Sequence, residues 1–282
     1  MKGFKIMGVL LITIISSMML SCGLFNIEGS MINQKRKAVV MIRSHTDLMV
    51  INTTATTAAA RWMRFSFVSS GTGSIIDHQG KSSFVLTAAH ICDVASKKQI
   101  KRMVPEYNEK IHKVLSSKTH VILNFYGSSY QATPLVSNPQ TDVCVLLTPR
   151  IEGIKALRVA NTAPYKGEKV FYMGFPRGLG QPGFVPTFEG FYAGIFRPDR
   201  NHYCAGYTLP LAPGSSGSPI VNVYGEVIGI IHSYYPVFDN IALGATQPQI
   251  EYVVGLAEDT YESNRPELEK RVTSLSHSIY EF

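Results

Sequence analysis

The chain is short of charge. Asp, Glu, Lys and Arg make up 17% of its 282 residues, against about 25% in an average globular chain. The formal surplus of +7 is mild and spread out, and Lys2 and Lys5 at the extreme N-terminus supply two of those charges. The densest basic stretch, "KKQIKRMVPEYNEKIHKV" from Lys97, has acids mixed in and no aromatic ladder. It reads as a solvated face, so no nucleic-acid partner is expected. Cysteine is scarce too. Cys22, Cys92, Cys144 and Cys204 are far apart, with no Cys-x-x-Cys or Cys/His spacing, so neither a metal site nor a cofactor is expected. Internal repeats and long low-complexity stretches are also missing.

No apolar run reaches the ~20 residues that a membrane span needs. The nearest is "IMGVLLITIISSMML", which follows Lys2 and Lys5 and ends at "SCG". A basic start, a short apolar centre and a small residue before Cys22 read as an export signal over 1–22. The end of that segment resembles a bacterial lipobox, which implies lipidation at Cys22 and attachment to the cell envelope. Met19 and Leu20 depart from that pattern, so plain secretion or an uncleaved anchor stay open. Residues 23–37 are then a polar tether. In an exported chain Cys92, Cys144 and Cys204 allow one disulfide with a free thiol, or three buried thiols.

What is abundant points to β structure. Gly, Thr, Val and Tyr are plentiful, and short β-like runs follow one another with turn residues between them. They are "KAVVMI", "RWMRFSFV", "GTGSIID", "SFVLTAAH", "HVILNFYG", "YQATPLVS", "DVCVLLT", "EKVFYMGF", "FEGFYAGIF", "HYCAGYTL", "SPIVNV", "EVIGIIHSY" and "NIALGAT". Such spacing predicts an all-β sandwich or barrel. The Thr/Ala-rich piece from Thr46 to Ala60 reads as a loop. Helix is expected only late, in "QPQIEYVVGLAEDTYE" and again in "NRPELEKRVTSLSHSIY", where Leu268, Val272, Leu275 and Ile279 recur at helical spacing. Those four side chains are expected to pack on the protein's own surface.

Three residues could share one piece of chemistry. Ser216 lies in "PGSSGSP", a turn rich in small residues that could gather backbone N–H groups round a nucleophile. A hydroxyl needs a base, and histidine titrates in the useful range. His90 closes the apolar run "FVLTAAH", and Asp142 opens "VCVLL". Each has an ordinary structural explanation on its own. Together they follow the order His, Asp, Ser along a β-rich chain.

On these residues the sequence resembles the chymotrypsin-like serine peptidases. "FVLTAAH", "TDVCVLL" and "GSSGSP" are similar to the family's histidine, aspartate and nucleophile motifs. "GTGSIID", "KGEKVFYMGFPRG", "PGSSGSPIVNVYGEVIGI" and "ALGATQPQIEYV" are similar to the bacterial Deg-type (high-temperature-requirement) branch. The resemblance covers residues 38–258 and implies two six-stranded antiparallel β-barrels with the active site between them, followed by a helical tail over 259–282. It implies Ser216 as nucleophile, His90 as general acid/base, Asp142 as orienting acid, and Gly214 and Ser216 amides as the oxyanion hole.

The resemblance also places Leu211 on the wall of the pocket for the residue before the scissile bond, and its apolar side chain implies an uncharged preference. His232, Ser233 and Tyr234 would pair with substrate backbone as an added strand. Glutamyl-specific relatives carry a histidine near this point, but here it stands one residue later, and a period of two would swing it to the other face. Ser215 replaces the acid that digestive members use in zymogen activation, and Ser218 is expected to be a small packing residue. Ile91 stands where digestive members have a cysteine, so their disulfide is not carried over. The stretch after Ala257 is too short for a PDZ domain. The implied function is an exported serine endopeptidase acting on polypeptides. The alternative is a protease-like fold that binds or assembles without catalysis.

Overall fold

The computed structural model describes residues 31–57, 61–92, 100–101, 107–108, 110–125, 127–180, 184–197, 202–235 and 240–275. The export segment with Cys22, and Ile279, lie outside them. Among the described residues, twelve strands form two closed six-stranded barrels. The first holds β1 (Val39–Asn52), β2 (Trp62–Gln79), β3 (Ser82–Ala88), β4 (His112–Phe125), β5 (Ser128–Asn138) and β6 (Val143–Pro149), in the spatial order β1-β2-β3-β6-β5-β4. The second holds β7 (Lys169–Met173), β8 (Thr187–Phe196), β9 (Cys204–Tyr207), β10 (Pro219–Val221), β11 (Val227–Tyr234) and β12 (Ala242–Thr246), ordered β10-β11-β12-β9-β8-β7. Every strand pairing between neighbours is antiparallel. Closing each sheet into a barrel pairs its two outer strands with each other, which leaves little open edge to template aggregation.

Two sequence expectations change. "RWMRFSFV" and "GTGSIID" are one long strand, β2, and the first half of the expected Thr46–Ala60 loop is strand. In β1, Thr46, Leu48 and Val50 are buried while Asp47 and Met49 face outward. That period of two is the signature of a half-covered strand. The covering residues are Ile100 and Tyr107, which complete a small apolar cluster with Met63, Phe65, Phe67 and Val114. Their distance in sequence is what hid the pattern.

Residues 150–168 carry the chain from one barrel to the other. The Leu157 amide donates to Ile75 O on the first barrel (2.9 Å), and the Val227 amide on the second donates to Arg158 O (2.7 Å). The late helices merge into one, α2 (Gln247–Leu275), bent at Asn264 just before Pro266. Pro266 cannot donate a helix hydrogen bond, which explains the bend. Ile250, Val253, Ala257, Tyr261 and Val272 on α2 are buried in the core, with Leu268 packed against it. Tyr261 sets its ring edge-on to Phe84 at 5.3 Å and donates its hydroxyl to Gln79 O at 3.0 Å.

The chain ahead of the barrels is also held. Ile32 is 6% exposed and belongs to the main core, and the Arg36 guanidinium donates to Val185 O at 3.5 Å. From Ile32 onward the expected tether therefore lies on the body of the protein. Cys92 and Cys144 are joined in a disulfide, and Cys204 is a buried free thiol. Of the two arrangements open from sequence, the structure has one bridge plus one thiol.

Candidate active site

His90 sits in the single helical turn α1 (Ala89–Cys92) that ends β3. Asp142 stands just before β6, in the left-handed region at φ 55°. The β3–β6 ladder runs up to Ala88 opposite Val143 and so delivers both residues to the same end of the barrel. Asp142 then holds the histidine at several points. Its carbonyl accepts the Ala89 amide at 3.1 Å, and its Oδ1 accepts the His90 amide at 2.9 Å. Its Oδ2 lies 2.7 Å from His90 Nδ1. A carboxylate can only accept, so the neutral imidazole carries its proton on Nδ1 and its lone pair on Nε2. The two side chains are 23% and 25% exposed, so the pair is partly shielded yet reachable. The disulfide repeats the same link two residues further along each segment, joining Cys92 to Cys144.

Ser216 stands on the turn before β10. Gly214 and Gly217 flank it at φ 95° and 82°, values that side chains rarely adopt. They also allow close approach. A Cβ at Gly214 would come within 2.5 Å of Phe175 O, and one at Gly217 would run into Thr72 O and Thr87 Oγ1 and lie 3.0 Å from the Ala88 amide nitrogen. Ala88 is two residues before His90, so Gly217 packs the Ser216 turn against the base of the histidine's turn. Thr72 locks the arrangement. Its amide donates to Ser216 O (2.8 Å), while its hydroxyl donates to Gly214 O (2.9 Å) and accepts the Phe175 amide (3.0 Å). Gly71 beside it leaves room for Ile91 and for the Ser216 carbonyl.

The structure therefore brings the loops of His90, Asp142 and Ser216 to one place. Among the described residues, the Gly214 and Ser216 amides donate to no protein group, as an oxyanion hole requires. The Ser216 hydroxyl makes no hydrogen bond to His90, so the link between those two side chains is open here. Catalytic hydrogen bonds are often long without substrate and tighten in the complex. The other serines have separate surroundings. Ser215 is 1% exposed and its hydroxyl oxygen accepts the Ala212 amide at 3.4 Å. Ser218 is fully buried against Gly174.

Leu211 is half-buried and packs against the second barrel's core. Ser233 and Tyr234 are exposed on β11. They pair with Leu243 and Ala242 of β12 on one side, whereas the β10 pairing on the other side stops at Ile230. The end of β11 thus leaves an edge beside the Ser216 turn. His232 falls between Ile231 and Ser233 at a shift in the β11–β12 register. Thr72, Gly71 and Phe175 were not singled out from sequence; the only hint was the small-residue run "GTGS".

A family model described as "Trypsin-like peptidase domain" matches residues 71–230, more than half of the chain. No curated protein matches the sequence significantly. Among solved structures, the active form of the Rv3671c protease from M. tuberculosis is 17% identical. Its TM-score is 0.55, and the match covers 80% of this chain and 82% of that one. The serine endoprotease from Yersinia pestis is 18% identical at TM-score 0.53, covering 82% and 66%. An HtrA-type protease, AlgW, with a bound decapeptide is 15% identical at TM-score 0.60, covering 83% and 67%. At these identities the structural likeness speaks for the two-barrel fold, and the family match carries the rest: the chain belongs to the trypsin-like peptidases.

Proposed function

We propose that the protein is an exported serine endopeptidase, tethered to the cell envelope through Cys22. The observation that carries the catalytic part is the paired hold of Asp142 on His90, which selects the neutral tautomer with its lone pair on Nε2. In this reading Nε2 takes the Ser216 proton as Oγ attacks a peptide carbonyl. The negative charge that develops on the carbonyl oxygen falls on the Gly214 and Ser216 amides, and Asp142 stabilises the imidazolium. His90 then returns the proton to the leaving amine, and the acyl group stays on Ser216. Water, activated by the same imidazole, releases it.

Substrate would lie along the open edge of β11 at Ser233 and Tyr234, as an added strand. Leu211 would contact the side chain before the scissile bond and favour an uncharged one. Replacing Ser216 by Ala removes one oxygen that makes no hydrogen bond among the described residues. Folding should be intact and turnover of casein should fall about 10⁶-fold, as for triad removal elsewhere. Cleavage at the wild-type rate would overturn the assignment. The open Ser216–His90 link favours a second reading, a protein that binds polypeptides without cutting them. A fluorophosphonate separates the two, because it reacts only with an activated serine.

A further inference from the structure

We propose that the face carrying Lys35, Lys37, Lys155 and Arg158, with Tyr224 exposed beside them, docks on an anionic lipid surface and turns the active-site cleft away from it. This rests on the envelope-tethered reading above and is independent of the chemistry at Ser216.

Three segments of the chain meet at this face. The turn between β10 and β11 is fixed by Asn222. Its Oδ1 accepts the Tyr224 and Glu226 amides at 3.0 Å each, and its carbonyl accepts the Gly225 amide at 2.9 Å. Tyr224 is held outward on that turn, 66% exposed. The stem of Lys35 lies over Gly225, where a Cβ would come within 2.7 Å of Lys35 Cγ. The segment between the barrels runs alongside, because Arg158 O accepts the Val227 amide at 2.7 Å and Val159 bridges to Val227. Lys37, Lys155 and Arg158 are exposed, and among the described residues none of them is in an ion pair. Burial and the Lys155 charge push the Lys35 pKa down, Glu226 pulls it up, and Arg158 pushes it down. Glu226 is the acid of this group, and its carboxylate also accepts the Asn222 side-chain amide at 3.3 Å. Like charges gathered in this way repel one another, and a negative partner relieves them.

The origin of the tether makes a bilayer that partner. Ile32 is packed in the core three residues before Lys35, and ten positions separate it from Cys22. Ten residues reach at most ~35 Å, so a lipid on Cys22 keeps this face within that span of the headgroups. A tyrosine among lysines and arginines also suits a membrane interface, with the ring at headgroup level and the cations on lipid phosphates. The cleft then points away. β10 and β11 both run from this turn towards it, with Ser216 five residues before Val221 and Ser233 six beyond Val227. At ~3.4 Å per residue the cleft lies about 20 Å from the docked face. Polypeptides therefore reach Ser216 without crossing the lipid contact.

The test is amine acetylation of the full-length protein, mapped by mass spectrometry. It is run without lipid, with phosphatidylcholine vesicles, and with vesicles that also contain phosphatidylglycerol. Lys113 is the internal reference, since it is exposed and pairs with Ile51 at the far end of β1 from Lys37. On the anionic vesicles Lys37 and Lys155 should react several-fold more slowly relative to Lys113. Salt at about 1 M, which cuts screening to ~3 Å, should restore their rates. Each cation near such a surface is worth about fivefold in affinity. Lys155→Gln with Arg158→Gln should therefore raise the lipid concentration that half-protects Lys37 by about 25-fold, at unchanged casein turnover. Equal rates at Lys37, Lys155 and Lys113 in protein that floats with the vesicles overturn the proposal, as the chain is then anchored with this face undocked. Equal protection on neutral vesicles also overturns it, and so does protection by a DNA duplex but not by vesicles. Protein that stays free of neutral vesicles yet is protected on anionic ones supports docking and sinks the tethered reading instead. Flotation with neither kind overturns both.

Discussion

Replacing Asp142 by Asn tests the orienting role with little damage to the fold. The site explains why Asn is the informative choice. Asp142 sits at φ 55°, a conformation that Asn and Asp visit more readily than other side chains. Alanine would add a backbone penalty of about 1 kcal/mol and confuse the result. The Asn carbonyl can still accept the His90 amide, as Oδ1 does at 2.9 Å. Its NH₂ group must then face His90 Nδ1, where Oδ2 now lies 2.7 Å away. A donor there forces Nδ1 to accept, the ring proton moves to Nε2, and the base is lost. In another serine protease the same substitution lowers kcat about 10⁴-fold, which is about 5.4 kcal/mol of activation free energy. We expect a loss of that order in casein hydrolysis and in fluorophosphonate labelling, with an unchanged circular dichroism spectrum and Tm. Activity within tenfold of wild type, in a folded protein, would refute the argument that Asp142 sets the tautomer of His90.

Two further outcomes test the scaffold. Tyr261→Ala removes a fully buried ring, its edge contact with Phe84 and a hydroxyl bond to Gln79; urea unfolding should show a loss of about 3–5 kcal/mol, and a loss below 1 kcal/mol would mean that α2 is not fixed to the first barrel. The Cys92–Cys144 bridge spans 52 positions of sequence, so by loop-closure entropy its removal in Cys92→Ser should cost about 4 kcal/mol, and equal stability with and without the bridge would contradict that role.

The barrels and the His–Asp–Ser set were legible because local patterns carried them. β3 is a wholly buried run and β6 is buried up to its last residue, and the candidate residues His90 and Asp142 stand at their ends. What escaped was set by long-range contact. Half of β1 looked like a loop because its cover, Ile100 and Tyr107, lies about fifty residues on. Thr72 looked ordinary, and becomes a hub only when Gly214, Ser216 and Phe175 close round it. The face occupied by His232 depends on a bulge, and one extra residue in a strand leaves no mark in alternating apolar residues. The bridge from Cys92 to Cys144 follows from the pairing of β3 with β6, which spacing alone does not specify.

The central claim is that Ser216, alone among the clustered serines, is activated by His90. Its most direct test is to treat the purified full-length protein with a fluorophosphonate, measure the intact mass and map the adduct. The account predicts one adduct per chain, on Ser216, and none in His90→Ala. No adduct on the folded protein, or an adduct on Ser215 or Ser218, would contradict it.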